Sequence, residues 1–336
     1  MFFMNHAARI LFNSISHLSV NYDHILFFEL SIKSAAVSMA PNVVIIPTQG
    51  LANRFRGLAS AQILADHYGT TLYVLWGPED ACNCELKDVL ASPSFPAVNL
   101  EEVVEENDFL FRDQVHTNTV LMEEEKTGGV QSKWLLIRGG HEFKHPNMSE
   151  SDFVARKKKF YSAMVPTDRV RERVEALGVS DDCVGIHFRN YEERFDQADG
   201  RMFEIVSPMG DFVRTVKLLR NFNPDLPIYL STRNNELKQR LQTIDPPPLR
   251  LPVTEHTRNS LQGMEEAMVD WWALTRCAVI FGSDMSSFSD EAAICGDCPK
   301  VCIGSEAPTY HCYGSEFVHG CRMVNPKIER VQRLFD

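Results

Sequence analysis

Short β-branched runs alternate with stretches of helical spacing along most of this chain, and that alternation limits the fold more than any other feature. Val43–Ile46 is apolar and closed by Pro47, which reads as a buried strand. Leu51, Phe55, Leu58, Ala59 and Ala65 follow at near-helical spacing, and Leu72–Trp76 reads as a second strand. Strand, helix and strand within about 35 residues make a βαβ unit with a right-handed crossover. The second half repeats the pattern. Strands are expected at Val184–Phe188, Ile228–Ser231, Ala278–Phe281 and Val301–Ile303. Helices are expected at Asp211–Arg220 after Pro208, at Glu236–Leu241, along the Met264, Ala267, Met268, Trp271 and Leu274 stripe, and from Ser289 to Ile294. Pro246-Pro247-Pro248 forces a break. The class implied is α/β with largely parallel sheets, arranged as two Rossmann-like domains facing a cleft. The expected units are an extension over 1–40, a first domain over 41–165 and a second over 166–336. Residues 80–150 are acid-rich and less regular, and read as further helices and loops of the first domain.

Composition narrows the function classes. An apolar fraction of 44% and a charged fraction of 24% are those of a globular protein that buries a core. The net charge of −11, with acidic stretches at Glu101–Glu106 and Glu123–Glu125, argues against nucleic acid as a partner. Arg156–Lys159 is the one compact basic run. In the first forty residues, polar and charged groups interrupt apolar patches such as Ile25–Phe28. No run there approaches the roughly 20 residues that span a bilayer, and no clean signal-peptide pattern appears. The expectation is a cytoplasmic protein, with the secretory lumen as the alternative. The sequon Asn147-Met148-Ser149 would matter only there.

Three segments carry chemistry. Gln49-Gly50-Leu51-Ala52-Asn53-Arg54-Phe55-Arg56 sits where a strand gives way to a helix, so Asn53, Arg54 and Arg56 fall in a first turn that favours an anion. The competing reading is a turn followed by a solvated helix face. Val184-Gly185-Ile186-His187-Phe188-Arg189 ends an apolar strand in a histidine and an arginine. Open α/β sheets bind ligands beyond such strand ends, and an arginine there can grip a phosphate with a bidentate fork. Gly282-Ser283-Asp284-Met285-Ser286-Ser287-Phe288-Ser289 follows another strand and leads into a helix, where hydroxyls and free N–H groups converge. Ser287 and Asp290 also stand at capping-box spacing.

Two further patterns mislead. His141-Glu142-Phe143-Lys144-His145 matches the HExxH zinc-protease motif, which works only on a helix. Gly139-Gly140 before it and Pro146 after it oppose a helix. Cys295-Gly-Asp-Cys298 is one CxxC without the second that structural zinc sites use, so ordinary thiols or a local disulfide are expected. No GxGxxG, GxxxxGK[ST] or GxSxG occurs.

In order and spacing, the three segments resemble the fucosyltransferase superfamily of the nodulation, core α1,6- and protein O-fucosyltransferases. Gly50-Leu51-Ala52-Asn53-Arg54 resembles its Gly-x-x-Asn-[Arg/Gln] turn, and His187-Phe188-Arg189 its His-x-Arg motif. Ala267-Met268-Val269-Asp270 with Leu274 resembles its Ala-x-x-Asp helix, and Ser286-Ser287-Phe288-Ser289 its Ser-Ser-Phe-Ser motif. The resemblance implies a GT-B fold, an acceptor-side first domain, a nucleotide-sugar second domain, inversion at the anomeric carbon and no metal or cofactor. GDP-fucose is the implied donor, and a glycan or glycoprotein the acceptor. Arg189 would hold the diphosphate, His187 would contact the nucleotide or pyrophosphate, and Ser286, Ser287 and Phe288 would line the pocket. Asn53 would face the reacting centre, and Asp270 would support the donor site.

Two positions depart from the pattern. Asn190 stands where many relatives have a second basic residue, and Arg233 where many have an aspartate. Another GDP- or UDP-sugar therefore stays open as donor. A carboxylate could take the acceptor's proton, and Glu192, with Glu193 and Asp196, lies just beyond Arg189. The competing functions are a binding protein of the same fold without turnover and the HExxH protease.

Overall fold

The computed structural model describes residues 40–92, 95–106, 108–113, 132–189, 206–252, 257–304, 313–318 and 321–333. The expected extension therefore lies outside the described residues, apart from Ala40. The first sheet is formed by β1 (Asn42–Pro47), β2 (Leu72–Val74), β4 (Phe109–Asp113) and β5 (Trp134–Gly139). Its order is β2-β1-β5-β4, and every pairing is parallel. Val43, Val44 and Ile45 are fully buried, because helices cover both faces of such a sheet. Helix α1 (Leu51–Tyr68) is the expected crossover from β1 to β2. It ends on Gly69 in the left-handed conformation, which glycine adopts without Cβ strain.

The acid-rich stretch departs from expectation. It holds the short helices α2 (Leu86–Val89) and α3 (Leu100–Glu105), as read, but also β4 and the central strand β5. The run Trp134-Leu135-Leu136-Ile137 before a double glycine is the signal that a strand was there. A small antiparallel pair joins β3 (Leu90–Ser92) to β6 (Val165–Pro166). Between β5 and β6 lies α4 (Glu150–Ser162), capped by Ser149 accepting from the Asp152 backbone N–H at 3.1 Å.

The second sheet runs β12-β13-β11-β10-β7-β8-β9. Strands β7 (Val184–His187), β8 (Ile228–Ser231), β9 (Leu249–Arg250), β10 (Val279–Ser283) and β11 (Lys300–Ile303) are parallel. Hairpin β12 (Ser315–Val318) and β13 (Cys321–Val324) adds two antiparallel strands that the alternation did not suggest. The helices are α5 (Asp168–Ala176), α6 (Met209–Phe222), α7 (Asn235–Gln242), α8 (Leu261–Thr275), α9 (Ser287–Cys295) and α10 (Ile328–Gln332). Pro208 is the N-cap of α6, and the α8 stripe buries Met264, Met268, Trp271 and Leu274.

The two halves share one core. A single apolar cluster includes Leu51, Phe55 and Ala59 of α1 together with Met268 and Trp271 of α8 and Ala292 of α9. Helices α1, α4 and α9 also pack on one another. Charge is buried in the same seam. Arg56 of α1 pairs with Glu291 at 2.5 Å and Asp290 at 3.6 Å. Lys157 of α4 lies between Glu142 at 2.7 Å and Glu291 at 2.8 Å, and Tyr161 donates to Glu291 at 2.5 Å. Asp290 also meets Lys300 at 2.5 Å and Arg322 at 3.2 Å, and Arg322 reaches Asp284 at 2.6 Å. Among the described residues, four cations thus face four carboxylates in one buried network.

Candidate active site

Each sheet has a point where successive parallel strands step off to opposite sides, and the strand-end segments that carry chemistry lie at those two points. In the second sheet the chain steps outward from β7 to β8 and β9, then returns to β10 on the other side of β7. The crevice beyond the carboxyl ends of β7 and β10 is therefore a topological switch point, where open α/β sheets bind ligands. Arg189 leaves β7 there. Its backbone N–H donates to Ser283 Oγ at the end of β10, at 3.0 Å, which ties the two strand ends together.

Helix α9 begins at the same place. Its N-cap is Ser286, not Ser287, and the Ser286 side chain makes no cap. The capping-box reading is thus corrected, since Asp290 is spent on Lys300, Arg322 and Arg56. Ser286 Oγ is buried with no hydrogen-bond partner among the described residues, and Met285 before it has φ 57°. First-turn N–H groups, this buried hydroxyl and a left-handed residue make a concavity with the geometry that suits an anion. Ser287 and Phe288 are half-buried in the first turn.

His187 closes the floor. Its Nδ1 lies 3.0 Å from Ser289 Oγ, and its ring stacks on Phe288 with centroids 5.1 Å apart. Burial, with Lys300 and Arg189 nearby, pushes its pKa down to about 3, so the ring is neutral at physiological pH. Ser289 Oγ donates to the Ser286 carbonyl at 3.5 Å. Nδ1 is thus engaged by Ser289, and Nε2 is the ring nitrogen outside that contact. Gly282 is required underneath: a Cβ there would come within 2.8 Å of Lys300 Cε and Ser289 Oγ.

Asp270 lies one strand further out. It accepts from the Tyr229 hydroxyl of β8 and from Ser231, and burial raises its pKa to about 6. It braces α8 against β8, and among the described residues no hydrogen bond joins it to Arg189, His187 or Ser286. Glu192, Glu193 and Asp196 lie outside the described residues, as do Asn190 and the segment through 205.

The first sheet has its switch point between β1 and β5. Asn53 is half-buried in the first turn of α1 there, and its Nδ2 donates to Gln49 Oε1 at 2.6 Å. Arg54 and Arg56 are buried on carboxylates of the chain itself, which corrects both the ligand-anion reading and the solvated-face alternative. Arg54 is fully buried, donates to the Gln49 and Gly77 carbonyls, pairs with Glu79 at 3.2 Å and lies over the Trp76 ring. Arg56 belongs to the buried network. Both α1 and α9 start at carboxyl strand ends, and their ion pairs form near those starts, so the two switch points lie on the same side of the molecule. Arg258, ahead of α8, crosses between the halves. Its carbonyl accepts from Asn83, and its Nη1 comes 3.8 Å from where a Gly50 Cβ would stand. No sequence pattern marked Arg258 or Lys300, and Ser283 lay in a quoted segment without a role of its own.

The HExxH residues are not a metal site. His141–His145 is not helical, Glu142 is buried against Lys157, and His145 stacks on His67 with centroids 4.2 Å apart. Cys295 and Cys298 are free thiols. A cavity of about 600 Å³ lies between α1 and α4, lined by Leu58, Gln62, Phe95, Arg156, Phe160 and Met164 among others. None of its lining residues belongs to either switch point.

No protein-family model matches the sequence, and no curated protein matches it. Solved structures do. The NodZ α1,6-fucosyltransferase co-crystallised with GDP superposes with a TM-score of 0.53 at 14% identity, covering 78% of this chain and 94% of that one. Fucosyltransferase NodZ from Bradyrhizobium gives 0.52 at 14% identity over 78% and 94%. A variant of FUT1 from Arabidopsis thaliana in complex with GDP gives 0.52 at 16% identity over 78% and 70%. At these identities the likeness is one of fold: two Rossmann-like halves of GT-B type, as the motifs implied.

Proposed function

We propose that this chain transfers fucose from GDP-fucose to a glycan or protein acceptor, with inversion at the anomeric carbon and without a metal. The observation that carries the reading is the meeting of Arg189, the open N-terminus of α9 and the unpartnered Ser286 hydroxyl at one switch point. Proteins of the same fold have been crystallised with GDP and soaked with GDP-fucose. As the sugar–phosphate bond breaks, charge builds on the departing diphosphate. Arg189 can grip two of its oxygens, while α9 N–H groups and the Ser286 and Ser287 hydroxyls donate to the rest. Neutral His187 presents Nε2 to the donor, and Phe288 walls the pocket. Asn53 meets the acceptor from the other half, and Asp270 holds the α8–β8 wall. Glu192 is the proposed base, with Glu193 and Asp196 as alternatives.

Thermal-shift measurements test the donor. GDP should stabilise the protein more than UDP or ADP, by about 2.7 kcal/mol at roughly a hundred times its dissociation constant. Equal shifts for the three nucleotides would remove the case for a guanine donor. Hydrolysis of GDP-fucose separates an enzyme from a binding protein.

Turnover should also survive EDTA, because Arg189 and the α9 N-terminus supply the positive charge that a metal would otherwise bring. Loss in EDTA with recovery in Mg²⁺ or Mn²⁺ would refute that mechanism.

A further inference from the structure

We propose that Gln49 and His141 are positioning residues that orient the Asn53 amide toward the incoming acceptor hydroxyl. This rests on the transferase reading above. Gln49 has φ 69°, a left-handed conformation that costs any residue with a Cβ. Its side chain does what glycine could not. Oε1 accepts from Asn53 Nδ2 at 2.6 Å, and Nε2 lies 3.5 Å from His141 Nε2, at the long limit of a hydrogen bond. Gly140 makes the room. A Cβ on it would come within 2.6 Å of the Thr48 carbonyl and 2.9 Å of Asn53 Cβ.

The relay has a direction. An amide NH₂ only donates, so His141 Nε2 accepts and its ring proton sits on Nδ1. Gln49 Oε1 is then the acceptor for Asn53, and Asn53 Nδ2 is held inward. Asn53 Oδ1, which makes no hydrogen bond among the described residues, is left as the outward acceptor. A hydroxyl donating to it on approach has an oxygen lone pair aimed at the anomeric carbon. The amide takes no proton and only fixes the approach: as the new C–O bond forms and the sugar–phosphate bond breaks, the hydroxyl proton passes to the base proposed above, Glu192, and the diphosphate leaves. In the reverse direction His141 Nε2–H would donate to Gln49, and Asn53 would present an NH₂ that competes for that lone pair.

The test uses Gln49→Gly, Gln49→Asn and His141→Phe, with water as acceptor in GDP-fucose hydrolysis. Gln49→Gly loses the relay and also the backbone strain, so its Tm should stay within about 2 °C of wild type. Its kcat should fall on the order of 10- to 100-fold, with donor KM and the GDP thermal shift unchanged. Gln49→Asn, too short to span both partners, should not recover the rate, and His141→Phe should match Gln49→Gly. In ¹⁵N spectra, wild-type His141 should be the Nδ1–H tautomer, and its Nε2 resonance should move in Gln49→Gly. Wild-type kcat in either Gln49→Gly or His141→Phe, or a raised donor KM at unchanged kcat, would overturn the assignment. So would an Nε2–H tautomer, or an unmoved Nε2 resonance. If wild-type protein neither binds GDP nor hydrolyses GDP-fucose, the transferase reading fails, and the spectra alone decide the relay.

Discussion

Arg189→Ala should lose roughly 10²–10³ in kcat, the cost of removing one group that stabilises charge in the transition state. Donor KM should change less, because the charge on the diphosphate grows only as the bond breaks. Arg189→Lys should recover little. A lysine is a point charge on a flexible stem and cannot reproduce a two-pronged grip. The fold should persist in both variants, since the backbone N–H that bonds Ser283 Oγ belongs to the main chain and not to the side chain that is changed. Circular dichroism would verify this before donor turnover is assayed. A folded Arg189→Ala protein with near wild-type turnover would remove Arg189 from the site.

The second large effect is on stability. Glu291 accepts from Arg56, Lys157 and Tyr161 with no exposed surface. Glu291→Gln leaves two buried cations facing a neutral amide. Breaking such a cluster from one side costs about 3–5 kcal/mol, which should lower Tm by on the order of 10 °C. Glu236→Gln is the control, because the Glu236–Arg240 pair is exposed and its loss should cost within about 0.5 kcal/mol. The pH dependence has a definite sign. Burial alone would raise the Glu291 pKa, but Lys157 and Arg56 hold it below the ordinary value. Asp290 is likewise held down, against its burial, by Lys300, Arg322 and Arg56. A depressed folded pKa contributes stability in full above the unfolded value of about 4, and that stability is lost as pH falls through the folded one. Acid melts should therefore be flatter for Glu291→Gln than for wild type. Equal Tm values for Glu291→Gln and Glu236→Gln would show that the network adds nothing.

The strands of the second half were legible because they are short apolar runs between turn residues. The run Ile228–Ser231 coincides with β8 residue for residue, and the runs expected for β7, β10 and β11 end within two residues of the strands. The stripe on α8 was legible for the same reason: periodicity is local. Strand β5 is equally local, but its apolar core of four residues, Trp134–Ile137, lies between Lys133 and Arg138 in a stretch with no other regular pattern. What sequence could not supply is pairing at a distance. Arg54 and Arg56 look alike in a helix-starting turn. Only the fold brings Glu79 to one and Glu291, 235 positions away, to the other. The same holds for the site. His187, Arg189 and the serines stood out at strand and helix ends, whereas Ser283, Lys300, Gln49 and His141 acquire meaning only from their neighbours.

The seam between the halves bears on how such a protein could be rebuilt. Exchange of nucleotide-binding halves between related enzymes presumes that each half is a portable module. Here a cut near residue 165 would strand Asp290 and Glu291 without Arg56 and Lys157 and would uncover Phe55 and Trp271, which pack with ring centroids 5.1 Å apart. A graft that preserves folding should carry α1 and α4 together with the second sheet, so the transferable unit is defined by the seam rather than by chain order.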